Sequence, residues 1–421
     1  DDLGYGEVGC YGQQKIKTPN LDRLAAEGIR FTQCYSGSTV CAPSRSTLMT
    51  GQHTGHTFIR GNSKVALRPE DTTVAEVLKK AGYVSGIFGK WGLGLEDSTG
   101  TPNRKGFDEW FGYLDQTHAH NYYPDHLWRN DKRFTVQENT GGRKGVYSHD
   151  FFTKTALNFI RVYGPDVAQP ERRFFLYLPY TIPHAHTKLA KDTGNGMEVP
   201  SDAPYTSESW PQVEKNKAAM ITRLDADVGR ILDSLKQRKL DDKTIIFFSS
   251  DNGPHKAGGN DPSFFNASGA LRGMKRDLYE GGIRVPMIVR WPGVIPAGTT
   301  SDFPWAFWDF LPTAADLAGT LPSKNIDGQS VLPALLGREQ KPHEFLYWEF
   351  HEGGFHQAVR MGDWKGVRHG LDKSLEVYNL KSDPGERNDV AKFNPEVVAK
   401  IESYLKSART ENPHWPGKAK E

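Results

Sequence analysis

Cys41 opens the run Cys41-Ala42-Pro43-Ser44-Arg45, and its neighbours decide what chemistry it can do. Pro43 fits the first turn of a helix continuing through Ser44, Ser46, Thr47 and Leu48. Cys41 then lies at the positive end of that helix, where anions are favoured. Arg45, about one turn on, adds a forked cation that matches a tetrahedral oxyanion such as phosphate or sulfate. A free cysteine is ordinarily a small buried hydrophobe, so the chemical reading rests on this context. Asp1-Asp2 and Asp251-Asn252 form a second group. They offer only oxygen donors, the preference of Ca²⁺ or Mg²⁺ over Zn²⁺. Taken singly, Asp-Asn-Gly is equally a common turn. Gly89-Lys90-Trp91, His184 with His186, and His255 add a cation and imidazoles.

These residues need a scaffold, and the apolar spacing supplies one. Thr18-Pro19-Asn20 starts a helix whose Leu21, Leu24 and Ala25 form one stripe before Gly28 stops it. Thr73 and Glu76 make a capping box for a second helix, with Val74, Val77, Leu78 and Ala81, ending at Gly82. A third runs from about Asn216 through Leu224, Ile231, Leu232 and Leu235. Strands are predicted at Ile29–Tyr35, Tyr83–Phe88, Phe174–Leu178, Thr244–Phe248 and Val285–Val289. Strand–helix alternation with short apolar runs predicts an α/β fold, a mostly parallel central sheet flanked by helices on both faces. Ligands of such sheets bind beyond the carboxyl ends of the strands. The Cys41 block, Lys90, His184 and Asp251-Asn252 each follow a predicted strand. Residues 100–150 and 185–215 read as long ordered insertions. After about residue 340 the pattern changes to short strands, Phe345–Phe350, Gln357–Met361, Trp364–Val367 and Leu375–Leu380, with a closing helix Glu396–Leu405. This predicts two units, a catalytic unit over 1–340 and, over 341–421, a small C-terminal antiparallel sheet with one helix.

Composition narrows the class further. Lys and Arg total 53 against 51 Asp and Glu, a formal charge of +2, which disfavours a nucleic-acid binder working through bulk charge. Hydrophobic residues at 37% support a sizeable core. No apolar run approaches the ~18 residues of a transmembrane helix. Three cysteines cannot build a disulfide framework; Cys10 and Cys34 are either ordinary residues or a pair.

On these residues the chain resembles the type I, formylglycine-dependent sulfatases, of the arylsulfatase kind. Cys41-Ala42-Pro43-Ser44-Arg45 with Thr50-Gly51 matches their Cys-x-Pro-Ser-Arg signature. Asp1-Asp2-Leu3-Gly4-Tyr5-Gly6, Thr18-Pro19-Asn20-Leu21-Asp22, Gly89-Lys90-Trp91, Ser250-Asp251-Asn252-Gly253 and Tyr279-Glu280-Gly281-Gly282-Ile283-Arg284 are similar to other family blocks. Tyr378-Asn379-Leu380 and Asp383-Pro384-Gly385-Glu386 resemble the family's C-terminal subdomain. The resemblance implies an alkaline-phosphatase-like α/β core. It implies that Cys41 is oxidised to formylglycine by a formylglycine-generating or maturase enzyme. The hydrated aldehyde would attack sulfur in line with the departing alcohol, and its second hydroxyl would let the sulfo-enzyme collapse by elimination. By the same resemblance Asp1, Asp2, Asp251 and Asn252, with residue 41, hold Ca²⁺ (or Mg²⁺). Arg45, Lys90 and Lys275 face the sulfate oxygens, and His184 protonates the leaving oxygen. Family members are mostly exported, as periplasmic, secreted or lysosomal proteins.

The chain departs from the pattern in two places. Many members read Gly-Lys-Trp-His-Leu-Gly, but here the run is Gly89-Lys90-Trp91-Gly92-Leu93-Gly94, so a histidine facing the formylglycine is missing. His118 or His120 is the expected replacement. The family strand before Asp1 is also absent, so a site built on the first two residues is expected to fray, and the chain reads as an incomplete record of the natural one. The favoured substrate is a sulfated carbohydrate, poly- or oligosaccharide, with aryl sulfates as simpler substrates. His255, Arg272, Arg60, His118, His120 and His351 are candidate substrate contacts, and Trp348 and Glu349 lie near the expected site rim. Packing is an equal reading for each. Two other functions are compatible with the motifs: a phosphatase, phosphodiesterase or phosphonate hydrolase of the same superfamily, and an inactive relative that binds sulfated sugar.

Overall fold

The computed structural model describes residues 1–417, so the last four residues of the 341–421 unit lie outside the described residues. The strands are β1 (Ile29–Tyr35), β2 (Tyr83–Lys90), β3 (Glu109–Tyr113), β4 (His126–Arg129), β5 (Lys132–Thr135), β6 (Arg173–Tyr177), β7 (Ile246–Ser249), β8 (Arg284–Arg290), β9 (Thr299–Ser301), β10 (Trp305–Ala306), β11 (Leu346–Phe350), β12 (His356–Met361), β13 (Trp364–Arg368) and β14 (Glu376–Asn379). The main helices of the larger part are α1 (Pro19–Ala26), α2 (Cys41–Thr50), α3 (Val74–Lys80), α4 (Ser148–Tyr163), α5 (Thr187–Thr193) and α6 (Gln212–Gln237).

Two mixed sheets carry the larger part. In the first, β8 lies between β1 and β7 and is antiparallel to both, while β9 and β10 extend β1 in parallel. β1 and β7 therefore run the same way and end on the same side. β8 opposes them because the turn Glu280–Ile283 hands the chain to it at that end, where Arg284 faces Tyr35. In the second sheet β2 pairs in parallel with β3 and β6, and β4 and β5 return antiparallel. The expected parallel character thus holds for the strands that end near the polar clusters, and antiparallel partners fill the rest. Three strands, β3 to β5, lie in the 100–150 segment read as an insertion. β5, Lys-Arg-Phe-Thr, is exposed along its whole length, a charged edge strand with no apolar alternation to signal it.

Helices cover these sheets where the sequence makes room. α4 lies against β2, and Gly86 permits the approach: a Cβ there would sit 2.7 Å from the ring of Phe159. Cys34 is wholly buried among Ile29, Phe31 and Val285, Cys10 is half-buried, and all three cysteines are free, so the Cys10–Cys34 pair does not form.

Strands β11 to β14 form a four-stranded antiparallel meander, and the helix Pro395–Leu405 packs on it through Val397, Ile401 and Leu405. Buried charges fasten this sheet to the rest. Lys365 Nζ sits 2.9 Å from both Glu280 and Glu386 carboxylates, all with fully buried side chains. Burial and the neighbouring Glu280 push the Glu386 carboxyl up to about 7, although Lys365 pulls it down. Trp348 donates its indole N–H to Ser36 O at 2.9 Å. No helix among the described residues is long and apolar enough to cross a membrane.

Candidate active site

Helix α2 is buried on nearly every side, with only Leu48 among its ten residues half-exposed. Such a helix needs internal partners for its polar side chains. Thr47 and Thr50 hydroxyls donate back to Ser44 O and Ser46 O at 2.8 Å each. Ser46 pairs with Thr57 at 2.6 Å, and Gly51, at φ 71°, closes the helix on Thr47 O. The N-cap residue is Val40, which offers no capping side chain; Asn62 supplies it instead, its Oδ1 accepting the Ala42 N–H at 3.0 Å. Cys41 is the first helical residue and is 2% exposed.

Around Cys41 stand three carboxylates and three cations, each cation against one carboxylate, with Arg45 also 3.5 Å from Asp1. Lys90 Nζ lies 2.6 Å from Asp1 Oδ2, and Lys275 Nζ 2.8 Å from Asp2 Oδ2. Arg45 donates Nε and Nη2 to Asp251 Oδ2 at 3.1 and 2.8 Å, and Nη1 to Lys90 O at 2.7 Å. The Cys41 thiol donates to Asp1 Oδ1 at 3.2 Å and receives Lys275 Nζ at 3.7 Å. The first two residues do not fray: Asp2 N donates to Asp251 Oδ1 at 3.1 Å, and Leu3 N to Ser250 Oγ at 2.9 Å. Asp2 holds φ 64°, a left-handed conformation that aspartate tolerates better than most residues.

Charge in this pocket is shaped by burial opposed by neighbours. Burial alone would raise Asp2 and Asp251. Lys275 overrides it at Asp2, with His184 and His255; Arg45 does so at Asp251, with Lys90 and Lys275, and both carboxyls fall well below the usual range. Burial lowers Lys90, and the Arg45 guanidinium beside it lowers it further. Lys275 moves up despite burial, because Asp2 and Cys41 face it.

Two candidate histidines join this cluster. His184 Nδ1 donates to Ala185 O at 2.8 Å, so the position left for a second proton is Nε2, 3.5 Å from Asp2 Oδ2. Burial holds His184 well below the ordinary imidazole range. His120 stacks on His184 with ring centroids 4.1 Å apart, and burial with Lys90 and Lys275 lowers it to about 3. His255 lies behind them, 5.7 Å from His184, its Nε2 donating to Pro183 O at 3.1 Å; burial lowers it to about 4. His186 turns to Glu198, at 2.8 Å.

The other candidates do different work. His118 stacks on His126 at 4.4 Å and meets Tyr113 edge-on, with no bond to the carboxylate–cation cluster. Arg60 is 1% exposed and spends its guanidinium on Thr57 O, Glu349 and Thr410. His351 pairs with the same Glu349 at 3.0 Å, and Trp348 is fully buried, so these residues lock the C-terminal sheet in place and do not line a rim. Arg272 stacks on Tyr279 at 3.7 Å and bonds Tyr378 and Glu386 O, again a tie between the two parts.

The residues fit a hard divalent cation. Asp1, Asp2, Cys41 and His184 each present a ligand atom, all within 4.8 Å of one another. Asn252 Nδ2 bonds Asp2 Oδ1 at 2.7 Å, while its Oδ1 is buried with no hydrogen-bond partner and thus free to ligate. Ser250, already part of the Ser250–Gly253 block, holds this geometry together with Asn62 and the buried Lys217–Glu7 pair, whose Glu7 accepts the Gly4 N–H. Asn62, Lys217 and Glu7 went unseen in the sequence. Glu7 and Lys217 lie far apart along the chain, and nothing near Asn62 in sequence marks it as the cap of α2.

Comparison with known proteins identifies the arrangement. The sulfatase family model matches residues 1–320, and that for the C-terminal region of N-sulphoglucosamine sulphohydrolase matches residues 273–411. The chain belongs to the sulfatase family. It is a sulfuric ester hydrolase with an alkaline-phosphatase-like core. Among its relatives, this sulfatase is 33% identical to an arylsulfatase of Hemicentrotus pulcherrimus, over 90% of this chain and 68% of that one. It is 29% identical to an N-acetylgalactosamine-6-O-sulfatase of Bacteroides thetaiotaomicron, over 97% and 92%. Among solved structures it resembles Ps i-CgsB in complex with k-i-k-neocarrahexaose, at TM-score 0.83 and 28% identity, covering 100% of this sulfatase and 93% of that chain.

Proposed function

We propose that this sulfatase releases sulfate from a sulfated oligo- or polysaccharide, with residue 41 as the nucleophile after conversion to formylglycine by a maturase. The observation that carries the reading is the position of Cys41: first in α2, 2% exposed, with Lys275 3.7 Å from Sγ and Lys90 and Arg45 converging on the carboxylates beside it. The carbohydrate class draws support from the relatives, one named for N-acetylgalactosamine and one solved with a neocarrahexaose. An exported location follows from the same reading.

Asp1, Asp2, Asp251 and Asn252 would hold Ca²⁺, or Mg²⁺, which when bound supplies Lewis-acid polarisation of the sulfate oxygens. Formylglycine at residue 41 supplies an oxygen nucleophile. The chain's own side chains do the rest. Lys90, Lys275 and Arg45 bind the anionic ester and stabilise charge as it shifts onto sulfate oxygens. They are rigid because each already lies against a carboxylate. His184 Nε2 is the position from which a proton would pass to the departing sugar oxygen once the ring is charged. The Nδ1–Ala185 bond fixes its orientation, and Asp2, 3.5 Å from Nε2, favours the charged form against burial. His120, stacked on it, is the imidazole placed to serve where Gly92 replaces the family histidine. Arg60, Arg272 and His351 are engaged in ties to the C-terminal sheet and His118 stacks on His126, so this reading gives them no role in the chemistry.

Purified protein carrying the modified residue is expected to release sulfate from sulfated galactose- or N-acetylgalactosamine-type saccharides and from p-nitrophenyl sulfate. Dialysis against a chelator should lower that rate on the order of 10²-fold or more, and Ca²⁺ should restore it. Ca²⁺ titrated into the stripped protein should also raise Tm, a readout independent of turnover. Turnover of p-nitrophenyl phosphate far above p-nitrophenyl sulfate would contradict the assignment.

A further inference from the structure

The departure at Gly92 has a structural counterpart. Gly92 takes φ 79°, and a Cβ there would lie 1.9 Å from Gln116 Nε2. No histidine fits this backbone with Gln116 where it stands. Gln116 reaches across from the loop after β3, its Nε2 3.4 Å from Gly92 O and its Oε1 buried with no hydrogen-bond partner. In this chain the Gln116 amide occupies the space that a side chain at position 92 would need.

That amide lies beside a cavity of about 180 Å³, lined by Asn62, Ser63, Lys64, Gly92, Gln116 and Thr117 among others, with Leu114, Leu95 and Val65 on its apolar side. Two of its lining residues tie the cavity to the segments that carry the nucleophile and Lys90. Asn62 caps the amide of Ala42, the residue after Cys41, and Gly92 is two residues past Lys90. Its polar groups are two amides, two hydroxyls, the Gly92 backbone and two opposite charges, Lys64 and Asp115, of which Asp115 accepts the backbone N–H groups of Thr117 and His118 through Oδ1. Neutral donors and acceptors beside an apolar wall suit the hydroxyls and the C–H face of a sugar ring. Lys64, exposed at the edge, suits an acidic substituent on that ring.

We infer that this cavity is a subsite for the sugar ring linked to the sulfated one, with Gln116 as its specificity-determining amide and Lys64 as its cation. The inference rests on the carbohydrate reading and deepens it: the substrate is a chain of at least two sugars, and the second is read through the space opened at Gly92.

The test compares kcat/KM for 4- and 6-sulfated galactose and N-acetylgalactosamine with that for disaccharides carrying the same sulfate. Three proteins are compared: wild type, Thr117→Trp to fill the exposed mouth, and Lys64→Ala. Wild type is expected to favour the disaccharide by about tenfold or more. Thr117→Trp should bring the ratio to about one, and Lys64→Ala should lower it for disaccharides whose second ring is acidic. The same ratio in all three proteins would overturn the subsite and leave the carbohydrate reading intact. Turnover of p-nitrophenyl sulfate with no turnover of any saccharide would overturn the carbohydrate reading and the subsite with it.

Discussion

Asp251→Ala is expected to lower the unfolding free energy by about 3–5 kcal/mol and to cut sulfate release on the order of 10³-fold. Both effects come from one carboxylate with two duties. Its Oδ2 takes two N–H groups of Arg45, and its Oδ1 takes the amide of Asp2, all in a region closed to solvent. Removing it leaves the Arg45 guanidinium, 2% exposed, with Lys90 O and, at 3.5 Å, an Asp1 carboxylate that Lys90 already holds at 2.6 Å, so two buried cations share one near carboxylate. It also removes one of the four oxygens that would hold the metal and releases the turn that aims Asp2. Urea unfolding and initial rates measure the two effects separately. The double variant Arg45→Ala/Asp251→Ala should regain much of the lost stability, because the stranded charge is gone, and none of the activity. An Asp251→Ala protein as stable as wild type would show that the pairing carries no net weight.

Cys41→Ala is expected to behave in the opposite manner, losing about 10⁴-fold or more in kcat while folding normally. The side chain is small and its contacts are two weak sulfur bonds, to Asp1 and Lys275. Deleting it changes stability by about 1 kcal/mol or less, since no large cavity follows. The cation cradle survives, so the variant should still bind a sulfated saccharide, and calorimetric titration should give a Kd within a few-fold of the wild-type KM. Near-normal turnover would remove residue 41 from the chemistry. Lost binding together with lost turnover would recast it as a structural residue.

Much of this site was legible because chemistry and local structure coincide in short runs. Pro43 sets the start of α2 next to Cys41, and the strand-end positions of Lys90, His184 and Asp251 follow from apolar runs that are strands in the structure, with ends displaced by one or two residues. Long-range partners were not legible. Nothing near Arg60 in sequence announces that Glu349 and Thr410 would occupy it, and a buried arginine looks like any other in a sequence. The same holds for Arg272 and His351, which carry suitable groups but are consumed in fastening β11 to β14. His118 and His120 are two residues apart, yet a single 3-10 turn sends one towards His126 and the other onto His184. The mixed sheets escaped for a related reason: apolar runs mark strands, while direction depends on connections such as Glu280–Ile283 that carry no periodic signal.

The proposed function turns on residue 41 working as formylglycine within the metal and cation cradle. The direct measurement is peptide mass analysis of the fragment holding residue 41, with and without a co-expressed maturase, alongside the rate of sulfate release from the same samples. An aldehyde is expected in place of the thiol, with a rate proportional to the converted fraction. Full activity in protein whose residue 41 is entirely unmodified cysteine would contradict that role.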